Sequence, residues 1–272
     1  MMQNRNRVLI LFVPLLLAFM QAGCTTSPTG RSQLMMISEE SAITQSAQAY
    51  AQTMNEYAQK GQLSKDQALI GRVNKITGRL IYEALIMRPD TRNWKWSMKV
   101  IDDPKTVNAW SMAGGRMALY TGLVEKIKPT DDELAQVLAH EIAHALAKHT
   151  AEKMSVAMAS SLGVLAVAVA TDNQNIATGA SAAALVAITL PNSRTAESEA
   201  DQIGLELAAK AGYNPHAAVT LWQKMNKESG GSSFDFLSTH PSSGKRIERL
   251  DSLIPGVMPY YDEQKPHPVY PL

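Results

Sequence analysis

The chain has little cysteine and no excess of charge of either sign. Cys24 is the only cysteine among 272 residues, so no disulfide can form within the chain and its stability must come from packing or a bound metal. Lysine and arginine number 26, against 25 aspartates and glutamates. This near-neutral balance, without a basic stripe, argues against a nucleic-acid partner. The apolar run at residues 8–20 is shorter than the roughly 20 residues that cross a bilayer as a helix.

The N-terminal segment is typical of an exported lipoprotein. Two arginines precede the apolar run, and small residues lead into Cys24. We therefore predict a signal peptide over residues 1–23 and a lipid on Cys24 that anchors the chain to a membrane. Gln21 replaces the apolar residue usual at that position, which leaves an ordinary signal peptide or an uncleaved anchor open. Thr25, rather than aspartate, follows the cysteine, and the sorting rule of bacterial lipoproteins then predicts the periplasmic face of the outer membrane.

Residues 140–144 carry the pattern H-E-x-x-H on a segment that is predicted to be helical. Thr130 and Glu133 have the spacing of a capping box, and apolar residues then recur at helical spacing, at Leu134, Val137, Leu138, Ile142 and Ala145. His140 and His144 are one turn apart and separated by about 40° around the axis, so both imidazoles can reach one ion at about 2.0 Å. An accidental pair on a surface helix is the alternative. The helical context favours one zinc ion per chain.

A catalytic zinc usually has three protein ligands, so the sequence must supply one more. His149 lies five residues after His144, and on a continuing helix it is turned about 140° away from the metal. We expect it at the surface or in a supporting role. Glu197, Glu199 and Asp201 open a second helical segment. The first and last of these acids share a face, so one can bind the metal and the other can support it, whereas Glu199 is predicted to face solvent or the other side.

These segments resemble a known family of zinc metallopeptidases. The motif at residues 140–144, followed by Ser-Arg at 193–194 and by the acidic segment 197–201, is similar to the family that includes HtpX, the CAAX prenyl proteases and the Oma-type peptidases. In form, the chain most resembles the periplasmic lipoprotein proteases LoiP and BepA. The resemblance implies hydrolysis of peptide bonds.

The resemblance also assigns roles to individual residues. It implies that His140, His144 and Glu197 bind the zinc. Glu141 is then the catalytic base that accepts a proton from the attacking water. Asp201 is expected to hydrogen-bond a ligating histidine, which fixes the orientation and tautomer of the ring.

Two further segments match the family. Gly115, Arg116 and Met117 lie in a stretch that resembles the strand pair before the zinc helix, and we predict that they hold an extended substrate, although a purely structural hairpin is the alternative. His240 is predicted to be a switch that approaches the zinc and blocks it, or else a loop histidine. Arg246 is predicted to stabilise the oxyanion of the reaction or to brace the site by pairing with an acid.

The expected fold is α+β, mostly helical and zincin-like (gluzincin), with a small sheet before the zinc helix. Ser38 and Ser64 are predicted to open two helices, the second of which ends before Pro89. Apolar residues alternate over 94–100, as in a half-buried strand, and a hairpin over 108–123 follows.

One metalloprotease domain is predicted over residues 24–255. An alanine-rich insertion at 156–190 is predicted to form a helical hairpin, with the membrane or the active site as its functional neighbour and an ordinary buried helix pair as the alternative. Residues 256–272 are rich in proline and are expected to be extended.

The functional prediction is a zinc endopeptidase that hydrolyses misfolded or misassembled cell-envelope proteins. Its partners are then unfolded envelope proteins as substrates and the membrane through the lipid on Cys24. The alternative is a latent or non-catalytic chaperone or assembly factor for outer-membrane proteins. Glu141 favours the enzyme, because a structural zinc site has no need of a base beside it.

Overall fold

The computed structural model describes residues 24–171, 194–229, 235–240 and 245–272. Five strands are present in these ranges: β1 Cys24–Thr26, β2 Ser32–Leu34, β3 Ser97–Ile101, β4 Ala109–Met112 and β5 Arg116–Tyr120. The α-helices are α1 Glu39–Gln59, α2 Gln67–Met87, α3 Thr121–Ile127, α4 Asp131–Leu146, α5 His149–Thr171, α6 at 194–210, α7 Ala217–Ser229, α8 Asp235–Thr239 and α9 Arg246–Val257. The predicted α+β class, mostly helical with a small sheet, is confirmed.

The first two long helices begin with side-chain caps. Ser38 caps α1 as predicted, because its hydroxyl accepts a hydrogen bond from the backbone N–H of Ser41. For α2 the predicted cap, Ser64, is wrong. Asp66 takes this role, since its carboxylate accepts the N–H groups of the second and third residues of the helix. A carboxylate also interacts favourably with the positive end of the helix dipole.

The larger sheet has three strands in the order β3-β5-β4. β3 runs parallel to β5, and β4 pairs antiparallel with β5 as the predicted hairpin. Gly114 and Gly115 form the tight connection with positive φ angles. A side chain at Gly115 would also collide with Trp96, whose ring lies 2.4 Å from the position of an added Cβ. In the order β3-β5-β4, β4 is an edge strand, whereas β5 is paired on both sides.

Helix α4 lies at the centre of the main hydrophobic core. It contacts α2, β4 and α7, and nearly all of its residues are buried. Leu134, Leu138 and Ile142 are fully enclosed. The capping box predicted at Thr130 and Glu133 is present, with both of its hydrogen bonds formed. Because this helix is buried on all sides, its polar side chains need partners from neighbouring elements.

The zinc helix ends sooner than the sequence pattern suggested. α4 stops at Leu146, Lys148 adopts a left-handed conformation with φ of 60°, and α5 starts at His149. A continuous helix would have turned His149 away from His144. The break instead returns the chain toward the motif.

The N-terminal hairpin, residues 24–34, packs its second strand against this break. β1 and β2 pair antiparallel. The buried Gln33 donates hydrogen bonds from its amide nitrogen to the carbonyl of Ala147 and to the carboxylate of Glu152. No sequence pattern predicted this hairpin.

The structure describes part of the predicted insertion at 156–190 and shortens the predicted tail. Residues 156–171 of the alanine-rich insertion are helical and continue α5, whereas the remainder of the predicted hairpin, to residue 190, lies outside the described residues. Within the described ranges, no helix is both long enough and apolar enough to cross a membrane. The extended tail starts later than residue 256, because α9 continues through Pro255 to Val257. The chain end then docks on α2, where the backbone N–H of Tyr270 donates to the carbonyl of Gly78.

Candidate metal centre

Helix α4 brings the two histidines of the motif together. Nε2 of His140 lies 3.0 Å from Nε2 of His144. Helix α6 adds Glu197, whose carboxylate oxygens lie 3.2 Å from Nε2 of His140 and 3.3 Å from Nε2 of His144. His240, directly after α8, places Nδ1 3.2 Å from both oxygens of Glu197 and 3.3 Å from Nε2 of His140. One potential ligand atom from each of these four residues lies within 4.8 Å of the others.

The outer nitrogens of the two histidines show which atoms are free to bind a metal. Nδ1 of His140 lies 3.0 Å from the carboxylate of Asp201, so we assign the proton to Nδ1 and a lone pair to Nε2. His144 has the same arrangement, with His149 as the partner of its Nδ1 at 2.8 Å. Two lone pairs and the carboxylate of Glu197 therefore point at one spot. Neutral imidazoles and a carboxylate are ligands that zinc prefers, so the residues fit this ion.

The charge balance of the cluster also favours a cation. Burial alone lowers the pKa of His140, but Asp201 and Glu197 outweigh it and raise the pKa to about 9. These carboxylates therefore favour a positive charge at this point, which a bound metal ion would supply in place of the proton on Nε2. Burial raises the pKa of Glu197, but the hydrogen bonds of His140 and His144 outweigh this and hold the pKa far below its usual range. Glu197 is therefore an anion that calls for a positive charge beside it.

Glu141 lies next to this cluster at a cleft of about 680 Å³. Its Oε1 is 3.2 Å from Nε2 of His240 but has no hydrogen-bond partner among the described residues. The hydroxyl of Ser111 donates to its backbone carbonyl at 2.5 Å, which ties β4 to α4. Burial raises the pKa of the Glu141 carboxyl above its ordinary value. A raised pKa suits a base that takes a proton near neutral pH and then releases it.

Asp201 and Arg246 form a charged support behind His140. Arg246 and Arg249 each donate from Nη2 to one oxygen of Asp201, both at 2.5 Å. Arg246 also stacks on the ring of Trp222, with its guanidinium carbon 3.8 Å from the ring centroid. Of the two roles predicted for Arg246, this placement agrees with bracing through an acid and not with a catalytic oxyanion donor. Its side chain is buried behind the histidine and is absent from the cleft lining, so it braces the site.

The structure also corrects the predicted substrate strand. Gly115 belongs to the turn, and Arg116 and Met117 lie in β5, the middle strand, which is paired with β3 and β4. A strand that is paired on both sides has no free backbone groups for a peptide. The strand that borders the cleft is β4, whose Trp110, Ser111 and Met112 are among the lining residues.

A second support lies behind His144. The sequence pattern assigns His149 a surface or supporting role but does not connect it with Glu199. His149 and Glu199 are both buried, and Nε2 of His149 is 3.1 Å from Oε2 of Glu199. Thr29 and Arg31 of the N-terminal hairpin donate to the same carboxylate, at 2.6 and 2.9 Å. Glu199 thus faces the other side of α6, one of the two orientations considered for it. The helix break at Lys148 and a contact across some 170 residues left no local signal in the sequence.

An α+β fold with an H-E-x-x-H helix beside a small sheet, and with a glutamate from a following helix at the same point, defines a zincin-like metallopeptidase. The chain belongs to peptidase family M48, whose model matches residues 68–254. The family resemblance is therefore confirmed. Peptidases of this family use zinc, and the cluster fits that ion, so the zinc cofactor is confirmed as well.

Individual relatives agree with this family. The chain is 36% identical over 211 residues to the mitochondrial metalloendopeptidase OMA1 of Schizosaccharomyces pombe, with 76% of this chain and 59% of the relative covered. It is 34% identical over 242 residues to the mitochondrial metalloendopeptidase OMA1 of Bos taurus, covering 84% and 45%. The metalloprotease LoiP of Escherichia coli is 29% identical over 152 residues, covering 54% and 58%. The chain thus spans about half the length of these relatives.

The comparisons contradict the predicted location. The relatives that match most of the chain are named mitochondrial, so the prediction of the periplasmic face of the bacterial outer membrane is wrong. That prediction rested on a few residues around Cys24 and on one sorting rule. A targeting segment is separate from the domain that follows it, so a few residues around Cys24 are weak evidence for the location of the protein.

Proposed function

We propose that this chain is a zinc-dependent endopeptidase, with His140, His144 and Glu197 as the protein ligands of the metal. The observation that carries the proposal is the convergence of two histidine lone pairs and one carboxylate beside Glu141. In the part of the chain that the structure describes, Oε1 of Glu141 has no hydrogen-bond partner at the cleft. A structural zinc site would not need a buried base such as Glu141 beside it.

The residues divide the chemistry among them. Zinc bound at this site supplies Lewis acidity, which polarises a peptide carbonyl and lowers the pKa of a water to about 7. The Glu141 carboxylate takes a proton from the attacking water and transfers it to the nitrogen of the leaving amine. Asp201 keeps Nδ1 of His140 protonated, so that Nε2 faces the metal. Arg246 holds Asp201 in place for this task.

Strand β4 offers a place for an extended substrate. Within the described ranges it is paired only with β5, and Trp110, Ser111 and Met112 line the cleft beside Glu141. A peptide added to this edge is held by backbone hydrogen bonds, which need an extended conformation and little specific sequence. The arrangement favours unfolded segments over folded domains, because folded domains seldom present a free strand of this kind.

Substrates of this kind fit a role in protein quality control. We propose misfolded or misassembled cell-envelope proteins as the substrates, and the restriction to the cell envelope rests on the family resemblance of the sequence alone. Lipid attachment at Cys24 is a separate proposal that does not depend on which membrane is involved. Mass spectrometry of the purified chain, compared with Cys24→Ser, tests it, because a lipid adds a mass that the variant lacks.

A latent form of the same enzyme is the second candidate. Nδ1 of His240 lies within 3.3 Å of both His140 and Glu197, and its Nε2 is 3.2 Å from Glu141. In this position, the imidazole fills the space between the ligands and the base where water and substrate must enter. The chain can therefore bind unfolded protein without cleaving it until His240 moves.

Cleavage of an unfolded model protein such as casein tests the proposal. We compare the zinc-loaded full chain with Glu141→Gln, which keeps the size of the side chain but removes the base. The expected result is equal zinc content with at least about a thousandfold slower cleavage in the variant. Unchanged cleavage in Glu141→Gln would sink the mechanism. If the wild type is inactive, His240→Ala distinguishes the candidates, because an unmasked enzyme gains activity and a non-catalytic binder does not.

A further inference from the structure

The two metal-binding histidines are supported in different ways, and only the support of His140 follows the expected pattern. His140 hydrogen-bonds directly to a carboxylate, Asp201. His144 instead meets a second imidazole, with 2.8 Å between its Nδ1 and Nδ1 of His149. The next contact, from Nε2 of His149 to the carboxylate of Glu199, is 3.1 Å. A carboxylate thus also supports His144, but through an intervening ring.

His144, His149 and Glu199 form a row of hydrogen-bonded side chains. The contacts of Glu199 indicate the direction of hydrogen bonding along this row. Thr29 donates its hydroxyl to Oε1, and Arg31 donates Nε–H to Oε2. Surrounded by these donors, the buried Glu199 is an anion that only accepts. We therefore assign a proton to Nε2 of His149, and in the neutral ring Nδ1 then accepts. The proton between the two imidazoles then belongs to Nδ1 of His144, which leaves Nε2 of His144 with the lone pair that a metal needs.

The fold builds this row from three separate parts of the chain. The left-handed turn at Lys148 brings His149 back to His144. Helix α6 supplies Glu199, two residues after the proposed ligand Glu197. The N-terminal hairpin supplies Arg31, which is itself held by two hydrogen bonds of 2.6 Å to Glu152.

We propose that His149 and Glu199 are positioning residues that fix the tautomer and orientation of His144, and that the N-terminal hairpin, residues 24–34, is a working part of the metal centre. The hairpin acts through Arg31 and Thr29, which donate hydrogen bonds to Glu199 and hold its carboxylate beside His149. This inference deepens the proposed function, because it rests on His144 as a zinc ligand. It does not depend on peptide cleavage.

Zinc affinity of the full chain, measured by competition with a zinc chelator, tests this proposal. All variants carry Glu141→Gln, so that differences in proteolysis cannot affect the reading. His149→Phe keeps a planar ring but can neither accept from His144 nor donate to Glu199. We expect its affinity to fall by about 10- to 100-fold. His149→Gln can accept and donate in the same directions, and we expect it to remain within about fivefold of the parent.

Two controls separate positioning from general damage. His216→Phe replaces an exposed histidine that does not belong to the four-residue cluster, and its zinc affinity should equal that of the parent. Glu199→Gln keeps the shape of the acceptor but lets the amide donate, so it should weaken zinc binding even if His149→Phe does not fold. Parental affinity in folded His149→Phe or Glu199→Gln would overturn the proposal. A chain that binds zinc with this dependence but cleaves nothing would refute only the proposed function.

Discussion

The two histidines of the metal centre are held in place by different side chains. Behind His140, Asp201 is clamped by Arg246 and Arg249 of the last helix. Behind His144, an imidazole leads to Glu199 and then to the N-terminal hairpin. The first half uses a carboxylate one helical turn from Glu197, whereas the second depends on a segment about 170 residues away. Direct carboxylate support is compact, and the relayed support makes the metal site sensitive to a distant part of the chain.

The half behind His140 depends on a buried ion pair between Asp201 and Arg246. Asp201 and Arg246 are both buried. Burial opposes ionisation of Asp201, but Arg246 outweighs it and lowers the pKa of the carboxyl to about 2. Removing one member of such a pair leaves the other as an uncompensated buried charge, which typically costs about 3–5 kcal/mol. The half behind His144 spreads its hydrogen bonds over several residues, so single losses there are expected to be milder.

The largest effect is expected for Asp201→Ala. The free energy of unfolding should fall by about 3–5 kcal/mol, because Arg246 loses its partner inside the protein. Zinc affinity should fall by about 100-fold, since the ring of His140 is no longer held. Urea unfolding and chelator competition measure the two quantities. Asp201→Asn is the matched control, because its amide oxygen can still accept from Nδ1 of His140. If Asp201→Ala binds zinc as tightly as the wild type, Asp201 does not support His140 in binding zinc.

A smaller effect is expected for Arg31→Ala in the N-terminal hairpin. Zinc affinity should fall by about three- to tenfold, because Glu199 loses a charged donor but keeps Thr29 and His149. Arg72→Ala serves as the control, since Arg72 forms an ion pair with the exposed Asp131, and such pairs contribute about 0–1 kcal/mol. Equal zinc affinity in Arg31→Ala and Arg72→Ala would show that the hairpin does not reach the metal.

The smallest effect concerns a carboxylate of α4 outside both halves. Burial raises the pKa of Glu133, but the Lys224 ammonium at 2.6 Å outweighs it and lowers the pKa below its usual value. A depressed pKa in the folded state contributes stability above the unfolded value of about 4.3, and this stability is lost as the pH falls through the lower folded value. At pH 7 the free energy of unfolding of the wild type should be about 1 kcal/mol larger than that of Glu133→Gln.

Urea unfolding at pH 7 and at pH 3 measures this difference, which should shrink at the lower pH. Zinc affinity at pH 7 should be the same in both proteins, because Glu133 caps the start of the helix and does not contact His140 or His144. A difference that grows on acidification would contradict the sign of the pKa shift.

The sequence predicted the features that depend on local spacing. The capping box at Thr130 and Glu133, the shared face of His140 and His144 and the hairpin before the zinc helix all follow from patterns within about ten residues. The choice of Asp66 over Ser64 as a cap depended on which of two neighbouring side chains the backbone reaches. A pattern of one or two residues does not determine that.

The features that the sequence did not reveal depend on backbone breaks and on contacts between distant segments. The turn at Lys148 reverses the orientation expected for His149, although nothing at that position, such as a glycine, indicates a left-handed residue. Strand order places β4 at the cleft, and strand order is not encoded in the alternation of a single strand. The burial of Glu199 requires Arg31 and Thr29, whose position relative to α6 appears only in the folded chain.

Anomalous diffraction at the zinc absorption edge, on crystals of the zinc-loaded full chain, tests the central claim most directly. The account predicts one peak per chain, about 2.0–2.2 Å from Nε2 of His140, from Nε2 of His144 and from a carboxylate oxygen of Glu197. Nδ1 of His144 should remain at hydrogen-bonding distance from His149. A zinc peak bound elsewhere, or a ligand set that omits His144 or Glu197, would contradict the account.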